Sequence, residues 1–567
     1  MNNPASSDRR PAHGSVGASG ALSGAPAGHR DDGRVVAIDL GTGGPKVGVV
    51  SESGCVEGSA SERVGLHLLA DGGAEQDPAE WWNAITRATR RAMEVSGTDP
   101  GDVVAVSCTG QWSGTVAVDG AGSPLRPAVI WMDSRGSKAM RRQSAGNVNV
   151  LGYDVRKVQR WIRLTGGAPG HSGKDPTAHI LWIREAEPDV YRSTYKFLEP
   201  VDWVNQRLTG RFAASFDSIA VHWVTDNRRI YGVDYDSGLL QMSGLERAKL
   251  PDLVPTGAIV GGVSEQAARD LGLVPGTPVC AASGDLHSAA VGSGAVGDFE
   301  AHLYIGTSSW ISCHVPFKRT SVTSNIASIP SALPGRYVVA DEHETAGACL
   351  TFLASTLFES NARDRGGGHS DEVDRREAAE NDGSDVYRRM DAMAEREEVG
   401  SGRLLFTPWL NGERSPVDDH TVRAGFHNLS LATTRSQMVR ATYEGVAFNS
   451  RWLLDAVERF VKRPFSSLVF IGGGANSEVW SQIHADVTGR PIKQAAEPVL
   501  ANVRGAAFLA LLALGRIRTE DIPAMVPVES TFEPDGTNAG VYDELFAEFV
   551  NLYKQNKKIY RRLNRSL

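Results

Sequence analysis

Strongly apolar, β-branched sequence first appears at residue 34. The run Arg34 to Leu40 is almost continuously apolar, the segment Gly41 to Gly44 interrupts it with glycine, and strand-like sequence resumes at Lys46 to Val50. Two strand-like runs joined by a glycine-rich turn predict a β-hairpin. Residues 1–33 are instead dominated by Gly, Ala, Ser and Pro. They offer too little apolar surface to offset the entropy lost on ordering, so this stretch is expected to be a disordered tail.

Helical spacing begins after Asp77. Asp77 is suited to be the N-cap, Pro78 to stand at the first helical position, and Glu80 to reach back to the cap. Further along the chain, apolar runs and helical spacing predict two buried strands and two helices, at 103–106, 128–131, 156–164 and 178–187. Strands that alternate with helices favour an α/β fold.

The second half of the chain contains a long amphipathic pattern and an echo of the first hairpin. The pattern over Ser436 to Val461 predicts a long core helix. The segment Leu303 to Ser308 repeats the strand-into-Gly-Thr pattern of Ile38 to Gly43, which indicates a duplicated half. Residues 363–402 mix Gly, Asp, Glu and Arg without apolar periodicity, and are expected to form an inserted surface loop with one polar helix near 385–397.

Composition excludes several classes of protein. The 567 residues are 41% hydrophobic and 22% charged, which at roughly 150 residues per domain predicts two to four domains. A formal charge of -8 disfavours a nucleic-acid binder. The longest apolar run, Ala506 to Leu514, is too short to cross a bilayer, so no membrane association is expected. Five cysteines without a C-x-x-C pair suit a reducing cytoplasm rather than disulfides or a zinc site.

The two Gly-Thr hairpins are candidate phosphate sites. Such a tip presents backbone N–H groups and a hydroxyl without an obstructing side chain, and two facing tips could hold a triphosphate. Lys46 could add a positive charge. An isolated Gly-Thr-Gly can equally be an ordinary turn.

Two aspartates follow apolar strands. Asp39 needs compensation for its charge, either from a magnesium ion or from N–H groups of its own turn. Asp285 lies between an apolar strand and a run of small residues, where it could be a helix N-cap or a general base beside the second hairpin.

Taken in order, these segments resemble the FGGY carbohydrate kinases, and most closely the xylulokinase branch. The resemblance runs from about Val35 to Ala510 and is carried by four stretches. They are the hairpin 37–42; the Gly-Gln pair at 110–111 with Trp131-Met132-Asp133-Ser134-Arg135; Gly284-Asp285 with Gly306-Thr307-Ser308; and Leu410 to Pro416 with Ile471 to Ser477.

The resemblance implies two actin-like domains of the ribonuclease H type that flank a catalytic cleft. It places a sugar-binding domain at 34–276 and a nucleotide-binding domain at 277–567. It further implies a cytoplasmic enzyme that uses ATP and Mg²⁺ to phosphorylate a sugar hydroxyl, and the family's dimers lean weakly toward a homodimer. The site residues it assigns are Asp285 as base and substrate contact; Asp39 toward the metal; Thr42, Gly306, Thr307, Gly473, Gly474, Ala475 and Asn476 toward the nucleotide; and Gln111, Trp112, Ser113 and Asp133 toward the sugar.

Two departures from the family pattern bear on the substrate. Gly43 stands where family members commonly have Ser or Thr, and Trp112-Ser113 replaces the usual Met-His pair of xylulokinases. Because hydrogen bonds to hydroxyl groups discriminate among sugars, D-xylulose is the first expectation, with other ketoses (ribulose, sedoheptulose) and polyols as alternatives. An actin-like ATPase switch without sugar transfer and a sensor with impaired transfer also stay open.

Overall fold

The apolar run that begins at residue 34 forms a central strand of the first sheet. A computed structural model describes residues 33–357 and 384–564 of the chain. Arg34–Gly41 pairs antiparallel with Gly44–Ser51 and parallel with Val103–Gly110, which confirms the predicted hairpin. The first sheet has the strand order Ile259–Gly262, Pro278–Cys280, Val103–Gly110, Arg34–Gly41, Gly44–Ser51 and Val56–Ser61, and Ser283–Gly284 also pairs with Val103–Gly110. This sheet therefore extends past the predicted domain boundary at residue 276.

The second sheet repeats the arrangement of the first. Ala301–Ile305 pairs antiparallel with Ser309–Val315 and parallel with Leu468–Ile471, just as the first hairpin is extended by a parallel neighbour. Its strand order is Thr320–Ser321, Ile326–Pro330, Tyr337–Ala340, Ser309–Val315, Ala301–Ile305, Leu468–Ile471, Ile492–Ala495 and Val528–Phe532. The duplication expected from the two Gly-Thr tips is thus present in the topology.

The remaining strands are short and form small sheets. One has three strands and five are pairs: His67–Leu68, Ala74–Gln76 and Ala128–Val129; Asn149–Val150 with Tyr153–Asp154; Val116–Val118 with Lys196–Leu198; Ala213–Ser215 with Asp252–Val254; Thr225–Asp226 with Asp234–Tyr235; and Leu405–Thr407 with Gly425–His427.

The five helices predicted from helical spacing are present, with shifts of one or two residues at most ends, and the structure adds others that were not predicted. Together they are Pro78–Ser96, Ser137–Ser144, Val155–Leu164, Pro176–Ala186, Pro188–Ser193, Pro200–Thr209, Ser237–Ser243, Glu265–Leu271, Asp285–Gly292, Gly347–Leu357, Ser384–Arg396, Arg435–Val461, Glu478–Thr488, Ala501–Ala513, Ile522–Met525 and Ala539–Leu563. None of the helices in these described ranges is both long and apolar enough to cross a membrane.

Local capping is partly as predicted. The carboxylate of Asp77 accepts the N–H of Ala79 at 2.8 Å, as an N-cap should. Glu80 does not reach back to the cap, because its carboxylate instead accepts the N–H of Gly65 at 3.0 Å. A tertiary partner has therefore replaced the expected local one.

The polar stretch 363–402 is described only from residue 384 onward, and its earlier part lies outside the described residues. Ser384–Arg396 is the helix expected near 385–397, but it is not confined to the surface. Met390 and Ala394 are fully buried, and the main-chain carbonyl of Ala394 accepts from Arg440 at 2.8 Å. Two apolar side chains one helical turn apart suffice to dock an otherwise polar helix on the core.

Two helices lie between the sheets and pack through glycine. Asp285–Gly292 and Ala501–Ala513 share one apolar core with Ala37 and Ala105 of the first sheet and Ile471 of the second. A Cβ on Gly292 would lie 1.8 Å from the carbonyl oxygen of Ala501, and one on Gly505 would lie 1.9 Å from that of Ser288. Glycine is required here because the two backbones touch.

Candidate active site

The first hairpin holds a buried carboxylate close to its tip. Asp39 is 2% exposed, and Lys46, its partner across the hairpin, places Nζ 3.6 Å from its Oδ2. At the tip, the hydroxyl of Thr42 accepts the indole N–H of Trp131 at 3.0 Å, and Gln76 donates to the main-chain carbonyl of Thr42 at 2.8 Å. The lysine therefore compensates the Asp39 charge only in part, since the gap exceeds a hydrogen bond.

Asp285 is the first residue of the helix between the sheets. Gly284 occupies the N-cap position, and the Asp285 Oδ1 accepts the N–H of Leu286 at 2.8 Å. Burial, and then the negative charge of Asp39, raise the pKa of Asp285 to about 7. Because Gly284 is the N-cap, the N-cap interpretation of Asp285 is wrong. A carboxyl group with a pKa of about 7 suits a general base near neutral pH.

The second hairpin reaches the same place from the other sheet. Gly306 and the exposed Thr307 form its tip, and their carbonyls accept N–H groups of Gly347 and Ala346, both at 2.9 Å. Tyr304, just before the tip, stacks on Trp310 with ring centroids 3.9 Å apart. A Cβ on Gly306 would lie only 2.6 Å from the Tyr304 hydroxyl oxygen, so the ring packs directly against the glycine.

Tyr304 is coupled electrostatically to Asp39 and to Asp285. Burial first, and then the charges of Asp39 and Asp285, raise the pKa of its hydroxyl. A tyrosine of the second hairpin is therefore coupled to Asp39 of the first sheet and to Asp285 at the start of the interposed helix. That the two tips face each other across a nucleotide stays a prediction, and Tyr304 is a further candidate residue that sequence reasoning missed.

The predicted adenosine-side loop packs on the second hairpin. Cβ atoms on Gly472 and Gly474 would lie 2.5 Å and 2.7 Å from atoms of Ile305, the last residue of the strand before the tip. Ala475 is buried, with its carbonyl accepting from Gln494 at 2.5 Å. Within the loop the exposed residues are Gly473 and Asn476. Asn476 borders a cavity of about 560 Å³ shared with helices Ser384–Arg396 and Glu478–Thr488.

On the predicted sugar side, Gln111, Trp112 and Ser113 follow strand Val103–Gly110. Gln111 is 3% exposed and donates to Gln76 at 2.8 Å. The Trp112 indole N–H donates to the Ser218 carbonyl at 2.7 Å. Its ring is T-shaped to the His287 ring, with the centroids 4.8 Å apart. Ser113 has φ 65° and donates to the Lys174 carbonyl at 3.0 Å.

Asp133 is brought near this region but its carboxylate is fully engaged. It is 1% exposed, accepts the N–H of Ala74 at 2.9 Å, and forms a bidentate ion pair with Arg135, the shortest contact being 2.6 Å. Arg135 also pairs with Glu75 at 2.5 Å. This arrangement holds the turn after strand Ala128–Val129, and both oxygens of Asp133 accept N–H groups of the protein, while its predicted contact with the sugar stays a prediction.

Four charged side chains that sequence reasoning did not single out form one ion-pair cluster, which is coupled electrostatically to Asp285 through Glu342. Arg414 forms an ion pair with Glu342 and another with Glu344 at 2.5 Å, and Lys174 approaches Glu344 at 3.2 Å. Glu342 also contributes to the raised pKa of Asp285. We call these four residues the cleft ion cluster. Arg414 lay inside a quoted motif, but its partners are 70 or more residues away in sequence.

Comparison with known proteins decides the family. The model described as the FGGY family of carbohydrate kinases, N-terminal domain, matches residues 34–292, and the corresponding C-terminal domain matches residues 303–514. The chain belongs to the FGGY family of carbohydrate kinases. The predicted family is therefore confirmed.

Individual relatives of this FGGY chain differ in the sugar they are named for. Xylulose kinase from Staphylococcus epidermidis is 29% identical over 530 residues, covering 93% of this chain and 97% of its own length. Gluconokinase from Bacillus subtilis is 26% identical over 531 residues, with the same coverage. The crystal structure of gluconate kinase from Lactobacillus acidophilus is 20% identical, with a TM-score of 0.78 over 94% of this chain and all of that one. This likeness confirms the α/β fold with two actin-like domains.

The two carboxylates fit a magnesium nucleotide better than a cation held by protein alone. Among residues 33–357 and 384–564, no group of three or more His, Cys, Asp or Glu side chains is placed to hold a metal ion. Mg²⁺ commonly takes one or two carboxylates together with water and substrate phosphates. Asp39 and Asp285 repel each other, as the raised pKa of Asp285 shows, and a divalent cation would relieve that repulsion.

Proposed function

We propose that this FGGY chain is an ATP-dependent kinase that phosphorylates a hydroxyl of a ketose, with D-xylulose as the first candidate acceptor. The observation that carries the proposal is Asp285, a carboxyl with a pKa near 7 that lies beside both glycine hairpins. Its relatives named xylulose kinase favour the ketose. Ribulose, sedoheptulose and polyols are the alternative acceptors, because Trp112 and Ser113 alter the predicted sugar contacts.

Asp285 would accept the proton of the attacking hydroxyl. The ionised carboxylate takes the proton while the oxygen bonds to the γ-phosphorus and ADP leaves. Phosphoryl transfer needs little other chemistry from the protein, so positioning and charge compensation supply most of the rate. The N–H of Leu286 holds Oδ1, which leaves Oδ2 to face the acceptor.

The two hairpin tips and the glycine loop would hold the nucleotide. Thr42 and Thr307 offer hydroxyls and Thr307 also a main-chain N–H, whereas the N–H of Gly306 donates to the Ser308 carbonyl at 2.9 Å, so Gly306 would contribute only the absence of an obstructing side chain. Gly473 and Asn476 are the exposed residues of the adenosine-side loop. Asp39 would hold Mg²⁺ through water or directly. Bound there with ATP, Mg²⁺ would neutralise charge on the β- and γ-phosphates.

The test is ADP release from purified full-length protein, measured over a panel of ketoses, aldoses, polyols and sugar acids. Acceptor-dependent ADP release that is lost in Asp285→Asn, while ATP still binds, supports the kinase. ATP hydrolysis that no acceptor stimulates would favour the actin-like ATPase switch instead. Binding of ATP without turnover on any acceptor would favour the sensor motivated by Gly43.

A further inference from the structure

The cleft ion cluster brings two cations and two anions from distant parts of the chain to the acceptor side of the site. The hydroxyl of Ser113 donates to the main-chain carbonyl of Lys174 at 3.0 Å, and the guanidinium carbon of Arg414 lies 5.9 Å from the ring centroid of Trp131. Ser113 and Trp131 belong to the stretches predicted to face the sugar. An acceptor bound against Ser113 and Trp131 would therefore lie close to Lys174 and Arg414.

Both cations in this cluster are already paired. The Arg414 guanidinium uses Nη1 for Glu342 and Nε for Glu344, so its donors point at two carboxylates at once. The Lys174 ammonium binds the second of these, with Nζ 3.2 Å and 3.4 Å from its two carboxylate oxygens. Glu344 is only 4% exposed, so its buried carboxylate depends on these two cations for charge compensation, and drawing either of them away would weaken that compensation.

The pairing has a consequence for a negatively charged acceptor. A sugar acid such as gluconate needs a free cation to balance its carboxylate when it leaves water. Lys174 and Arg414 are balanced by Glu342 and Glu344, and Asp285 adds a further carboxyl near the same place. An aldonate would therefore meet repulsion, whereas an uncharged ketose or polyol can hydrogen-bond to these groups.

We propose that Glu342 and Glu344 are specificity-determining residues that restrict this kinase to uncharged sugar or polyol acceptors, by occupying the two cations beside the acceptor. The proposal rests on the proposed kinase function. It makes the charge beside the acceptor, rather than a particular hydroxyl contact, the feature that excludes an acidic acceptor.

The experiment compares kcat/KM for D-gluconate with kcat/KM for the best uncharged acceptor, in wild type, Glu342→Gln and Glu344→Gln. We expect wild type to favour the uncharged acceptor by at least about 100-fold. Glu342→Gln removes a negative charge that balances Arg414, so the preference for the uncharged acceptor should fall about tenfold through a lower KM for gluconate. Glu57→Gln is the matched control, since Glu57 and Arg34 form an ion pair of similar exposure, 28% and 26%, against 27% and 24% for Glu342 and Arg414.

The outcomes are distinguishable. A wild-type enzyme that prefers gluconate, or glutamine variants whose preference equals that of Glu57→Gln, overturns the specificity proposal and leaves the kinase proposal standing. ADP release that responds to no acceptor refutes the kinase proposal itself. If the variants do not fold, calorimetric titration of wild type with gluconate and with D-xylulose, in the presence of a non-hydrolysable ATP analogue, decides the question, and equal or tighter gluconate binding overturns the inference.

Discussion

Replacing Asp285 by Asn tests the proposed base directly, because the amide keeps the shape of the side chain and cannot accept the proton. A positioned general base contributes about 10²- to 10⁴-fold to rate, so kcat is expected to fall by that factor. The Leu286 N–H can still donate to the amide oxygen, which preserves the local geometry. ATP affinity should change little, because the predicted nucleotide contacts lie on the hairpins and the glycine loop.

The pH dependence of kcat/KM gives a second, quantitative test of the role of Asp285. With a pKa of about 7 for Asp285, roughly one tenth of the enzyme is ionised at pH 6 and nine tenths at pH 8. The kcat/KM for the acceptor should therefore rise about tenfold between those values in wild type. The residual activity of Asp285→Asn should lose this dependence.

The assay couples ADP formation to NADH oxidation, with coupling enzymes in excess at each pH and nucleotide binding followed separately by calorimetry. Asp189→Asn serves as the surface control, because that carboxylate is 88% exposed and pairs with Arg192 one helical turn away. Retention of more than a tenth of wild-type kcat in Asp285→Asn would refute the role of this residue, as would a flat wild-type profile from pH 6 to 8.

Four further changes have definite expected outcomes. Folding raises the pKa of Asp285, so its carboxyl costs stability increasingly as pH rises from about 4 to 7. Asp285→Asn should therefore stabilise the chain at pH 8 by about 4 kcal/mol but not at pH 4, as thermal unfolding would show. Thr42→Val should raise KM for ATP about tenfold whereas Thr42→Ser should not, and equal values in steady-state kinetics would exclude a hydroxyl contact. Asp133→Asn should lower the unfolding temperature, because a buried pair is broken at a cost of about 3 kcal/mol, while KM for the acceptor in the folded fraction stays near wild type. Gly505→Ala should destabilise by about 3 kcal/mol or more in denaturant unfolding, since its Cβ would meet the Ser288 carbonyl, and Gly536→Ala, which meets nothing within 4 Å, is the control.

The sequence predicted those features whose causes are local. The hairpin at residue 34, the capped helix after Asp77 and the long helix to Val461 each follow from apolar spacing and cap residues within one element. The repeat of the Gly-Thr tip also predicted the duplicated topology, because the same turn chemistry stands at the end of the same kind of strand. Family resemblance added the assignment of Asp285 as base.

Contacts between distant segments could not be predicted in this way. Glu344 meets Lys174 across 170 residues, and nothing in either neighbourhood specifies the partner. Tyr304 gave no signal, since a tyrosine in a strand is ordinary. For Asp133 a local signal did exist: Arg135, two residues later, is the partner that engages its carboxylate.

The placement of Asp285 connects its chemistry to the packing between the two sheets. Its helix is short, and three residues further on the carbonyl of Ser288 lies against Gly505 of the other interposed helix. Residues three apart share a helix face, so the surface that positions the base is also the surface in contact with helix Ala501–Ala513. A rotation of one sheet relative to the other would therefore move Asp285 relative to the hairpin tips, because the glycine contact leaves no soft side chains to absorb it. The raised pKa of Asp285 has the same origin, because backbone packing keeps its carboxyl buried, which is the larger cause, and near Asp39, which is the second.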